Sequence, residues 1–151
     1  MREDIQAALK EALKSGKAKE LSTLRLISAA LRDRDIAARG KGNTDGISDD
    51  DILSMLQTMI KQRQESSKMY RDGNREELAQ AEEDEIAVII TFLPEQMDEA
   101  AVANAINAAI AETGAASIKD MGKVMGYLKQ HHAGQMDFGA ASPVIKSKLL
   151  G

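Results

Sequence analysis

Apolar residues recur along this chain at helical spacing from end to end. Ile5, Ala8, Leu9, Ala12 and Leu13 share one face of a predicted first helix over 2–15, which Gly16 ends. A second helix over about 19–39 turns Leu21, Leu24, Ile27 or Ser28, and Leu31 inward, and Gly40 stands just past its last basic residue as a stop. The glycine-rich stretch 40–46 reads as a surface loop. Ser48 then opens a third helix: it can cap the N–H of Asp51, three acids fill the first turn where the helix dipole favours them, and Ile47 can staple onto Ile52. Ile52, Met55, Leu56, Met59 and Ile60 form its apolar face, and it continues toward Tyr70. The turn Asp72-Gly73-Asn74, with Asn74 and Glu77 as a capping pair, leads into a fourth helix over 75–92. Helices three and four are expected to form a long antiparallel hairpin.

Pro94 pushes Leu93 out of helical conformation, so the chain turns at Leu93-Pro94 and two domains follow, 1–93 and 94–151. In the second, Asp98 caps a helix that buries Val102, Ile106, Ala109 and Ile110 and closes at Gly114. A sixth helix from about Asp120 uses Met121, Val124, Met125 and Leu128. After a loop over 131–135, Asp137 or Ser142 starts the last helix, along which Phe138, Ala141, Val144, Ile145 and Leu149 align. Pro143 is either its first-turn residue or a kink. The fold class is all-α: an N-terminal helical unit with a long hairpin, then a C-terminal bundle of three helices.

Composition agrees with the pattern. Alanine supplies 23 of the 151 residues, and two Tyr, two Phe and no Trp are too few aromatics for a sandwich or barrel. The absence of cysteine excludes disulfides, thiolate metal sites and a Cys nucleophile. No apolar leader or membrane span is visible, which predicts a soluble, cytoplasmic protein with no membrane partner. The net charge of −4 hides an asymmetry: residues 1–46 sum to +3, 47–99 to −9 and 100–151 to +2. A polyanion could meet the two ends of the chain but not its middle.

Catalytic signatures are missing. There is no phosphate-binding glycine loop, dinucleotide fingerprint or zinc-protease motif, and no cofactor is expected. His131 and His132 are adjacent, so on a helix they diverge by about 100° and share no ligand face. The run Glu82-Glu83-Asp84-Glu85 points all round its helix and reads as a solvated face.

Two basic features remain. Arg25, Arg32 and Arg39 recur every seven residues and therefore occupy one face of the second helix, a spacing that can follow phosphates, although an ordinary charged surface with Asp33 and Asp35 nearby looks similar. In Asp120-Met121-Gly122-Lys123-Val124-Met125-Gly126, two glycines four apart inside a helix each cost about 1 kcal/mol relative to alanine. A neighbouring helix packed on them is the simpler explanation; a phosphate or partner approaching the backbone beside Lys123 is the other. With so few aromatics, RNA contact would run through backbone and shape, not base stacking.

Four strings in order, Thr23-Leu24-Arg25-Leu26-Ile27, Lys61-Gln62-Arg63 with Glu65-Ser66, Leu93-Pro94-Glu95-Gln96 and Asp120 to Gly126, resemble the YqeY family over essentially the whole chain. That family is similar to the C-terminal tail of the B subunit of the glutamine-dependent aspartyl/glutamyl-tRNA amidotransferase. The resemblance implies two all-helical parts and a stand-alone tRNA-associated accessory module, with tRNA, a translation component or an amidotransferase component as partner. A carbon–nitrogen ligase activity with glutamine as amido donor is implied by the resemblance alone, because this chain supplies no nucleophile, metal site or nucleotide loop for it. The candidate RNA contacts are Arg25, Arg32, Arg39, Lys123 and Lys129. The alternative is a helical protein-docking module without RNA contact, using the faces around Met55, Met59, Met121 and Met125. Pro143 departs from the uninterrupted last helix of relatives.

Overall fold

The structure is a computed structural model that describes residues 1–150. Among them it is all-helical, with seven α-helices, one short 3₁₀ turn and no strand. The helices are α1 (Arg2–Ser15), α2 (Ala18–Gly40), α3 (Asp49–Asp72), α4 (Glu76–Ile90), α5 (Glu99–Thr113), α6 (Met121–His131) and α7 (Phe138–Leu150). The chain divides into two compact units at Leu93/Pro94.

In the first unit, α1 to α4 close around Ile5, Leu24, Ile27, Leu31, Ile52, Met55, Leu56, Met59 and Ile89. Burying a branched or sulfur-bearing side chain of this size stabilises by about 1.5–3 kcal/mol, so these positions dominate the unit. Ser48 caps α3 as the sequence predicts, its hydroxyl accepting from the Asp51 N–H at 3.2 Å, and Ile47 packs on the same core as Ile52. Partners along α3 and α4 run in opposite order: Arg71 with Glu76 and Glu83, Ser67 with Glu83, Arg63 with Glu85. Only antiparallel neighbours pair in that sequence.

Several local expectations fail for identifiable reasons. Leu13 is 54% exposed: α1 meets the core through Ile5 and Ala12, with Ala8 and Leu9 partly buried beside them, and Leu13 lies at the edge of that face. Gly40 ends α2 from inside the helix, and the left-handed residue of the following turn is Gly42, at φ +91°. Asn74 makes no cap with Glu77; it takes the left-handed turn conformation itself, at φ +59°, and α4 begins after Arg75 without a side-chain cap.

In the second unit α5, α6 and α7 pack on Ala105, Ile106, Ala109, Val124, Leu128, Met136, Ala141 and Ile145. Asp98 caps α5, accepting from the Ala101 N–H at 2.7 Å, and Gly114 closes it at φ +65°. Asp120 accepts from the N–H groups of Ala116 and Ser117 in a capping box that sets the 3₁₀ turn ahead of α6. Asp137, not Ser142, starts α7: its carboxylate accepts from Gly139 and Ala140 at 2.9 and 3.2 Å. Pro143 lies inside the helix, where it withdraws one backbone donor without ending it. Val144 is 44% exposed, so the apolar face of α7 is narrower than its sequence suggests, and Met136, in the preceding segment, fills the core.

Candidate functional site

The faces of α2 are set by its buried side. With Leu24, Ile27 and Leu31 in the core, Arg25, Arg32 and Arg39 fall about 100° round the helix, on its flank, all exposed. Among the described residues none of the three makes a side-chain hydrogen bond or ion pair. This distinguishes them from the guanidiniums of Arg2, Arg63 and Arg71, each held by a carboxylate. Between α1 and α2 lies an open groove of ≈ 540 Å³ with Arg2, Arg32, Asp35 and Arg39 at its edges and Ile5 and Leu31 in its floor.

Among the described residues lining this groove Asp35 is the one acid, and Arg2 holds it. Arg2, the first residue of α1, donates from Nη1 to Oδ2 at 2.6 Å and from Nη2 to Oδ1 at 2.7 Å. Arg2 Nη2 also donates to the Ile47 carbonyl at 2.9 Å, and the Ile47 N–H donates to Asp35 Oδ1 at 2.9 Å. The carboxyl is held down at about 2, first by the Arg2 hydrogen bonds, then by the Ile47 N–H, with Arg39 adding attraction, against the opposing effect of burial. Gly46 is required beside this clasp: it sits at φ +89°, and a Cβ there would fall 2.6 Å from Arg2 Nη2. The clasp was invisible in sequence, since its partners lie 33 and 12 residues apart.

The acidic run of α4 is not a uniformly solvated face. Glu85 accepts from Arg63 Nε at 2.7 Å. Glu83 accepts from Arg71 and Ser67, and Asp84 lies 3.7 Å from Lys19 Nζ. The Arg71 guanidinium lowers the Glu83 carboxyl below the usual range. Glu83 and Glu85 tie α4 to α3, Asp84 makes an exposed pair with Lys19 of α2, and no cluster of three or more metal-capable side chains exists among the described residues.

In the second unit Lys123 and Lys129 are exposed on α6. Lys123 Nζ lies 3.9 Å from Asp120, at the limit of an ion pair, and among the described residues Lys129 has none. The packing explanation for the two helical glycines fails: Gly122 and Gly126 are exposed, and a Cβ on either would meet nothing within 4 Å. His131 stacks on Tyr127 with centroids 4.0 Å apart, whereas His132 turns away, 6.5 Å from its neighbour, toward Gln135. The methionine faces offered for docking are largely core: Met55 and Met59 are buried, and Met121 and Met125 pack against the second core. Among the described residues no helix is long and apolar enough to cross a membrane.

The class this defines is an all-helical protein of two units, with an arginine face on α2 free of ion pairs and no cluster of three or more metal-capable side chains among the described residues. Within that class the particular assignment is firm: the chain belongs to the YqeY family, whose model, described as Yqey-like protein, matches residues 2–149. No curated protein matches it in sequence.

Proposed function

We propose that the protein is a tRNA-associated accessory module that grips an RNA backbone through Arg25, Arg32 and Arg39 of α2, with Lys123 and Lys129 of α6 as a second contact. The supporting observation is that the three arginines share an exposed face and lack hydrogen-bond and ion-pair partners among the described residues. A guanidinium without a carboxylate partner is free to bind phosphate bidentately. Three acids of α4 are paired with other cations: Glu83 with Arg71, Asp84 with Lys19 and Glu85 with Arg63. Binding of this kind releases counterions, so affinity should fall steeply between low and physiological salt. Titration of unfractionated tRNA at two salt concentrations tests it, with Arg25→Glu/Arg32→Glu as the control. Absence of binding at low salt, or binding indifferent to the double substitution, refutes the proposal.

A second reading, docking on a helical protein partner such as a translation or amidotransferase component, draws support from Leu26 and Ile36, which are 44% and 58% exposed on α2. A partner retained from RNase-treated lysate and lost with Ile36→Glu would favour docking over RNA contact.

A further inference from the structure

Asp35 stands three residues after Arg32 and four before Arg39, the two spacings at which a helix brings side chains together. An acid four residues ahead of an arginine is the favourable order for an ion pair along an exposed helix. Neither pair forms. Both oxygens of Asp35 are taken by Arg2 in a bidentate arrangement, which is stronger and more directional than a single-contact pair along the helix. Arg39 is nevertheless close enough to pull the Asp35 carboxyl down. The other nearby acid, Asp33, follows Arg32 directly and so lies about 100° round the helix from it.

We infer that Arg2 is a positioning residue of the basic face: by occupying Asp35 it keeps Arg32 and Arg39 uncompensated along the groove between α1 and α2, where they can meet the phosphates of an RNA backbone. The inference rests on the RNA reading of that face. Arg2 does this from another helix, so the charge of the face depends on α1 lying against α2. The loop before α3 takes part, because Arg2 also holds the Ile47 carbonyl and a Cβ at position 46 would fall 2.6 Å from its Nη2, so that the guanidinium would have to shift.

Two substitutions disturb Arg2 differently. Arg2→Gln removes its charge, whereas Gly46→Ala crowds its guanidinium and leaves every charge in place. Without RNA, the Arg39 Nε–H resonance should take on the shift of a carboxylate-bound guanidinium in R2Q and G46A, and revert when Asp35→Asn is added. With unfractionated tRNA at low salt, Arg39→Gln should weaken binding about fivefold in the wild type, under about twofold in the R2Q background, and about fivefold again in R2Q/D35N. Circular dichroism confirms that each variant is folded. An Arg39 resonance unchanged in both R2Q and G46A, or an Arg39→Gln effect of equal size in all backgrounds, overturns the inference while leaving the RNA reading intact. A wild type whose binding ignores Arg39→Gln overturns the reading of the face, and the resonance still decides whether Arg2 keeps Asp35 from Arg39.

Discussion

The two units are both helical but are held by different means. Nine of the ten buried core residues described in the first are Ile, Leu or Met, and its helices are cross-linked by side chains distant in sequence: Arg2 with Asp35, Arg63 with Glu85, Arg71 with Glu83, Lys19 with Asp84. The second draws three of its eight buried core residues from alanine, and its polar bonds are mostly local caps made by Asp98, Asp120 and Asp137. Long-range ion pairs organise one unit, and short-range capping starts the helices of the other. Among the described residues the ion pairs that join one α-helix to another all lie in the first unit.

The strongest way to break this comparison is to hollow each core. Ile52→Ala and Ile106→Ala, both at fully buried positions, should each cost about 2–5 kcal/mol. In the thinner second unit the loss should abolish amide protection across 94–150 while 1–93 stays protected, read by hydrogen exchange. Simultaneous opening of both units after either substitution would show that they are not separate cooperative bodies.

Acid comes next. Asp35 has a folded-state value near 2, below its ordinary 3.8, so its contribution is complete above about pH 4 and drains away as pH falls toward 2. Glu83 shifts in the same direction and adds to the loss in the first unit. The Asp35 contribution is on the order of 1–2 kcal/mol, and Asp35→Asn should lower stability at pH 5 while flattening the decline below pH 4, measured by urea unfolding at each pH. A decline of unchanged steepness would remove the clasp from the account.

Smaller effects separate pairs from caps. Arg63→Met should cost about 1–2 kcal/mol, with most of that coupled to Glu85 in a double-mutant cycle. Asp98→Ala and Asp137→Ala should each cost about 1 kcal/mol in the second unit and show little coupling to any distant residue. At the bottom of the scale, Gly122→Ala and Gly126→Ala have open space and helical backbone, and each should stabilise the second unit by about 0.4–1 kcal/mol in thermal unfolding. Destabilisation there would mean that some contact crowds those glycines after all.

What could be read ahead of the structure follows the same division. Ser48 and Asp98 were legible as caps because a cap is a relation among residues within three positions, and the apolar faces of α2, α3 and α6 were legible because periodicity encodes them. Arg25, Arg32 and Arg39 fell on one face by spacing alone, and the burial of Leu24, Ile27 and Leu31 turned that face outward. Leu13 and Val144 were misplaced because a periodic apolar residue is buried only if a neighbouring helix reaches it. The acids of α4 looked solvated because nothing in their own helix shows that Arg63, Arg71 and Lys19 come to meet them.

By itself the sequence determined seven helices, most of their ends, and the basic residues that share a turn-by-turn face, since hydrogen bonding, capping and side-chain spacing within a helix are local. Only the tertiary structure decided which of those charges remain free. Asp35 could have neutralised Arg39 four residues away, and it does not, because the packing of α1 against α2 delivers Arg2 to both of its oxygens first. That choice depends on where two helices cross, which no periodicity in either helix records.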